Sequence, residues 1–265
     1  MSEPVPGDDL GDDLGEELVR LASADNFRDV TGPDAAYTAA DGRPLRRGVA
    51  FRSNELLLTA SDADSLARLG ITAIYDLRSD HEVEVHPDAA VPGATWTQLE
   101  VKGIPMDAVT DLHDRATAHD VMRQVYRGFV EIEGARQAFA TLFREIADGE
   151  GAALFHCTAG KDRTGWAAAL LLHLAGVDDA TILGDYLLTN SFSSATREKY
   201  LGLVREHLGA DQVQVYERVM VADEAYLQAG YDAVTAAYGD RSGYLRDGLG
   251  LDSQVLSRLR DRLRS

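Results

Sequence analysis

Apolar positions along this chain fall into two regimes. Between residues 48 and 155, short β-branched or aromatic runs alternate with amphipathic stretches; beyond Gly176 only helical spacing remains. Gly48–Arg52 (GVAFR), Ile71–Leu77 (ITAIYDL), Thr95–Val101 (TWTQLEV) and Gly151–Phe155 (GAALF) read as strands. Ile71–Leu77 is apolar enough to be a buried parallel strand. Asp41-Gly42, inside Tyr37–Arg46, is a hairpin signal. Ser61–Leu69 reads as a helix with Ser61 as its N-cap. Further helices are predicted near 117–133 and 135–147 and over Thr164–Leu174. This alternation predicts an α/β fold, a mostly parallel sheet with helices on both faces. After it come helical spans at 178–190, 195–208, 211–220, 223–238 and 252–263. The expected organisation is a single domain over residues 21–265, with a C-terminal helical lid at about 178–245. Residues 1–20, rich in Asp and Glu, are expected to be a flexible lead-in.

Charge and cysteine usage narrow the function. The net charge is −18, which argues against a nucleic-acid or anionic-membrane partner, since either would need a basic stripe. No apolar run approaches the ~18 residues that span a bilayer, so no integral membrane contact is expected. The N-terminus carries acid where a signal peptide carries base, which points to a cytoplasmic protein, with export lacking a cleaved signal left open. The single cysteine, Cys157, excludes an internal disulfide and cysteine-clustered zinc. The seven histidines show no HExxH spacing. No metal or organic cofactor is expected, and the oligomeric state is not legible.

The lone thiol stands in Phe155–Gly165, FHCTAGKDRTG. A strand ends before it and a helix begins after it, so the intervening residues form a tight loop at the C-terminal edge of a parallel sheet, where open α/β folds bind ligands. Gly160 allows a backbone conformation other residues avoid. The amides of Thr158, Ala159, Gly160 and Lys161 can then converge on an anion, reinforced by the positive end of the following helix. Cys157 opens this cradle and Arg163 closes it, offering a planar fork that matches two phosphate oxygens. Such surroundings favour the thiolate as nucleophile. The Thr164 hydroxyl is placed to hydrogen-bond the sulfur, and His156 to hold the loop through its ring nitrogens. The combination suits attack on a phosphate monoester. A nucleotide-binding loop does not fit, because Asp162 stands where Ser or Thr is required and Phe155 where the first glycine should be.

This signature resembles that of the cysteine-based protein tyrosine phosphatases, and its GKDRTG form resembles the atypical bacterial, PtpB-like branch. Three further segments are similar to that family's elements in the same order: Asn26–Gly32 (NFRDVTG), Phe51-Arg52-Ser53 and Asp76-Leu77-Arg78-Ser79. Thr31 stands where glycine is more usual. The resemblance covers about residues 24–190, and the later helices match only in character. It implies a cysteine-phosphatase-like sheet with a helical lid, and a hydrolase acting through a phosphocysteine intermediate without a cofactor. The substrate would be phosphotyrosine in proteins. Dual-specificity phosphoserine/threonine or phosphoinositide hydrolysis is the alternative, and a catalytically idle phosphate-binding module the remote one. Lys161 bears on this choice, because dual lipid/protein phosphatases carry a lysine at this loop position.

The leaving group needs a proton, and the mobile Trp-Pro-Asp loop of the usual tyrosine phosphatases is missing from this sequence. Asp162, Asp76 and Asp107 are the candidates. The resemblance favours Asp162, with Asp76 in support or as the alternative acid. Arg28, Arg52 and Arg78 near strand ends could line the mouth or form structural ion pairs. The tract Asp185–Leu201 is expected to cover the pocket and shield the sulfur from oxidation.

Overall fold

Strand register brings the distant motifs to one edge. The computed structural model describes residues 21–103 and 112–264. Strands β1 (Arg28–Asp29), β2 (Ala50–Ser53), β3 (Ile71–Asp76), β4 (Thr95–Gln98) and β5 (Ala152–His156) form one sheet in the order β1-β2-β5-β3-β4. All pairings are parallel except β1 with β2. β5 is central, and both Ser53 and Asp76 lie opposite His156. The ends of the FRS and DLRS segments therefore flank the residue before Cys157.

The strand pleat divides the core in two. Ala153 and Phe155 enter the larger cluster, while Ala152 and Leu154 enter the smaller one. The larger cluster is built from α3 (Arg115–Glu131), α4 (Glu133–Asp148), α5 (Asp162–Ala175), α9 (Glu224–Tyr238) and α10 (Ser253–Leu263). α1 (Ala60–Arg68) covers the other face with Leu66, beside Phe27, Phe51 and Leu56. Helices thus lie on both faces, as the alternation predicts. α5 is buried on nearly every side because the sheet and the later helices enclose it. A Cβ on Gly230 would lie 2.6 Å from the Trp166 ring, so a glycine in α9 permits that helix to approach.

Several boundaries differ from the sequence expectation. The cap of α1 is Thr59, whose hydroxyl accepts from the Asp62 amide at 3.2 Å; Ser61 lies inside the first turn. α2 (Asp80–Val85) is not predicted, since six residues are too few to display a helical period. It is started by a capping box in which Ser79 and Glu82 exchange backbone hydrogen bonds. α5 begins at Asp162 rather than Thr164. The Asp41-Gly42 turn forms, with the Ala39 amide donating to the Arg43 carbonyl, but only an isolated Thr38–Pro44 bridge accompanies it. Beyond α5 come α6 (Asp179–Phe192), α7 (Ser194–Leu208) and α8 (Ala210–Met220), near the predicted limits. Asp107 and the acidic residues 1–20 lie outside the described residues.

Asp185 of α6 fastens the lid side of the molecule to the sheet. Its carboxylate receives Arg28 at 3.3 Å and Arg52 at 2.9 Å, all three side chains being buried. Arg28 also donates to the Asn26 side chain and lies against the Phe192 ring. Burial, with the neighbouring Arg28 charge, pulls Arg52 down to about 10. Removing the shared carboxylate would leave two buried guanidiniums facing each other. Asp185→Ala is expected to cost about 3–5 kcal/mol in urea unfolding, and a loss under about 1 kcal/mol would contradict this assignment.

Candidate active site

The loop between β5 and α5 turns its carbonyls outward. The Leu77 amide donates to the His156 carbonyl at 2.8 Å and the Glu55 amide to the Thr158 carbonyl at 3.0 Å. The Asn26 side-chain amide donates to Ala159 O at 3.0 Å, and the Arg52 guanidinium to Gly160 O at 2.8 Å. With those oxygens held from outside, the amides of residues 158–163 find no acceptor among the described residues. They are left unpaired in the loop that follows Cys157, where a bound anion can take them up. Gly160 makes the turn at φ 65, and a Cβ there would lie 2.4 Å from the Ser53 carbonyl oxygen. No other residue type fits without moving β2.

Cys157, 2% exposed, stands at the floor of a cavity of about 540 Å³. Thr158, Ala159, Lys161, Asp162 and Arg163 share its lining, and Ser193, Thr196, Arg197, Tyr200, Val219 and Met220 form a wall from the lid helices. The later helices thus contribute one wall of the pocket.

Arg163 and Asp162 are in the cavity, but with partners the sequence does not announce. Glu82 receives both terminal nitrogens of the Arg163 guanidinium, at 2.7 and 2.8 Å. Arg163 also donates to the Leu77 and Val101 carbonyls. Its Nε has no acceptor among the described residues, so that edge of the fork stays available for an anion. Burial opposes the charge on Arg163, yet Cys157 and Glu82 more than offset this and hold it above its ordinary value. Burial would likewise push the Glu82 carboxyl up, but Arg163, Thr158 and the Ser79 amide hold it well below the usual carboxylate range. Glu82 is a residue that sequence reasoning missed. The Ser79-x-x-Glu82 capping box was the one available signal, and it points to a helix start rather than to the site.

Asp162 Oδ1 accepts from the Tyr126 hydroxyl of α3 at 2.9 Å, and Tyr126 in turn meets the Tyr186 hydroxyl of α6 at 2.7 Å. Burial first, then the Asp162 charge, pushes both phenols well above their ordinary value, so they remain hydroxyl donors. Neither tyrosine carries any signal in the sequence beyond helical spacing.

Four expectations need correction or completion. Lys161, expected at the phosphate, is 1% exposed, and its ammonium donates to the Val219 and Val221 carbonyls of the later helices at 2.7 and 3.0 Å. Asp76, a candidate acid, does not line the cavity. It is wholly buried, and Arg78 grips both its oxygens from Nε and at 2.7 Å from Nη2. The Thr164 hydroxyl is buried and makes no hydrogen bond among the described residues, the sulfur included. Arg28, Arg52 and Arg78 form internal ion pairs and do not line the mouth. His156 lies beneath the loop: its Nδ1 is 3.3 Å from the Cys157 carbonyl, and its Nε2 is 2.9 Å from Asp88 as an ion-pair contact that is not a hydrogen bond. Burial would raise the Asp88 carboxyl, but His156 and then Arg78 hold it down at about 2. Asp76, Asp88 and His156 lie close enough to suggest a cation site, yet Arg78 already binds both carboxylates. Among the described residues, no helix is long and apolar enough to cross a membrane.

With this geometry stated, comparison with known proteins is informative. The profile of the tyrosine phosphatase family matches residues 19–265. The triple specificity protein phosphatase PtpB of Mycobacterium tuberculosis is 31% identical, over 91% of this chain and 96% of that protein. A putative tyrosine-protein phosphatase of Cupriavidus necator is 34% identical, over 90% of this chain and 86% of its own. A tyrosine-protein phosphatase of Nostoc commune is 31% identical, over 95% of this chain and 90% of its own.

The unpaired amides can be tested without turnover. Gly160→Ala is expected to weaken binding of inorganic phosphate at least about tenfold by calorimetry, since a misplacement near 1 Å spoils a convergent site. Unchanged affinity in the folded variant would contradict the cradle.

Proposed function

The chain belongs to the tyrosine phosphatase family, and from that premise we propose how its pocket carries out the reaction. It is a cysteine-dependent phosphatase that hydrolyses phosphate monoesters, phosphotyrosine in proteins first among them. Cys157 Sγ attacks phosphorus, forming an S–P bond as the P–O bond to the leaving group breaks. Asp162 gives its proton to the departing oxygen. Water then attacks the phosphocysteine, Asp162 takes up a proton from it, and the S–P bond breaks to free phosphate and the thiolate. The loop amides and the free edge of Arg163 hold the non-bridging oxygens as charge develops. Glu82 fixes the guanidinium for that task.

The observation that carries this reading is the outward set of carbonyl bonds to Thr158, Ala159 and Gly160, which leaves the loop amides unpaired between Cys157 and Arg163, both of which line the cavity. For the acid, Asp162 lines the cavity whereas Asp76 does not. The name of the Mycobacterium tuberculosis relative, triple specificity, widens the substrate class to more than one kind of phosphorylated residue. The lid contacts of Lys161 favour phosphotyrosine over phosphoinositide, because the ammonium is committed elsewhere.

Asp162→Asn is expected to lower kcat on phenyl phosphate about 10²-fold or more, and far less on an activated aryl phosphate whose leaving group needs no proton. Equal losses on both substrates would move the role to another residue. Wild-type turnover is expected to be higher on a phosphotyrosine peptide than on a soluble phosphoinositide. The reverse order would overturn the substrate assignment.

A further inference from the structure

Lys161 sits between the glycine of the loop and the acid, and its ammonium is engaged on three sides. It gives one hydrogen bond to the Val219 carbonyl, one to the Val221 carbonyl, and stands 3.3 Å from Asp162 Oδ1. The face of Tyr226 in α9 lies 5.8 Å away. Val219 belongs to the last turn of α8 and Val221 caps it, so the ammonium occupies the negative end of a lid helix. An ammonium buried this deeply is stable only while those carbonyls stay in place.

We propose that Lys161 is a positioning residue that couples closure of the lid to the orientation of the acid Asp162; this rests on the reading of Asp162 as the proton donor. The Tyr126 hydroxyl donates to Oδ1 and the Lys161 ammonium stands 3.3 Å from the same oxygen as its ion-pair partner, which leaves Oδ2 as the oxygen that carries the transferable proton. Tyr126 is held by hydrogen bonds to Asp162 and Tyr186 and, among the described residues, makes none to α8. Lys161 is anchored by α8 itself. The acid is therefore fully oriented only when the end of α8 lies against the loop. A second tether keeps it there: the Asn190 side chain donates to the Ala222 carbonyl and accepts from its amide, both at 2.8 Å. Asn190 does not line the cavity. Its side chain reaches the site through the segment that carries the Val221 carbonyl, while its backbone carbonyl, which Asn190→Ala leaves in place, accepts from Arg197.

The test compares kcat on phenyl phosphate with kcat on an activated aryl phosphate, for wild type, Lys161→Met, Asn190→Ala, the double variant and Asp162→Asn. Lys161→Met is expected to lose about tenfold more on phenyl phosphate than on the activated ester, within the span of general acid catalysis. Asn190→Ala is expected to shift the same ratio in the same direction by about threefold. The double variant is expected to show no more discrimination than Lys161→Met alone, because both act through one contact. A ratio unchanged by Asn190→Ala, or effects that multiply in the double variant, would overturn the coupling. So would equal losses on the two esters in Lys161→Met. Should Lys161→Met fail to fold, Asn190→Ala alone decides. If Asp162→Asn itself fails to discriminate between the esters, the acid assignment falls. If it discriminates while the two lid variants do not, only the coupling falls.

Discussion

A strand must become a helix within five residues while the carbonyls on the way are bonded from outside and the amides stay unpaired. That constraint shapes most of the structure. The carbonyls can turn outward only if donors wait for them outside, and those donors come from three separate segments: Asn26, Arg52 with the Glu55 amide, and the Leu77 amide. The turn itself needs a residue with positive φ and no Cβ, because the Ser53 carbonyl lies against position 160. The parallel register of β2, β5 and β3 brings these segments within reach. The sheet is in this sense scaffolding for one loop.

Electrostatics follow from the same packing. A chain of net charge −18 must bind a dianion, so positive potential has to be local. The amides and the end of α5 supply part of it, and Arg163 supplies the rest. A guanidinium so buried would point wherever an acceptor offered itself, and Glu82 fixes that choice by taking both terminal nitrogens. Beneath the loop, Arg28 and Arg52 share Asp185, and Arg78 is divided among Asp76, Asp88 and Glu55. These buried pairs hold position rather than carry out chemistry. They explain why arginines near strand ends accompany the signature without entering the pocket.

The strands, the long helices and the identity of the nucleophile were legible because each rests on a local pattern. Periodicity marks α3 through α9, and the spacing from Cys157 to Arg163 marks the cradle. What depends on direction in space was not legible. Lys161 is adjacent to the anion site in sequence, yet its side chain leaves toward α8, a choice set by carbonyls some sixty residues away. Asp76 ends a strand beside the loop, as a catalytic acid would, but Arg78 two residues later claims it. Glu82 lies in a helix too short to show a period, and Tyr126 and Tyr186 look like any core aromatics. Ser61 is an N-cap residue type at the head of a helical stretch, but Thr59 has the extended backbone and the Asp62 amide that make it the cap.

The account stands or falls on the sulfur becoming bonded to phosphorus. The most direct measurement is rapid acid quench of the enzyme with a ³²P-labelled aryl phosphate, followed by peptide mapping. Label transiently held by the peptide containing Cys157, formed no more slowly than turnover, is the expected result. Turnover with no covalent label, or label on any other residue, would contradict it.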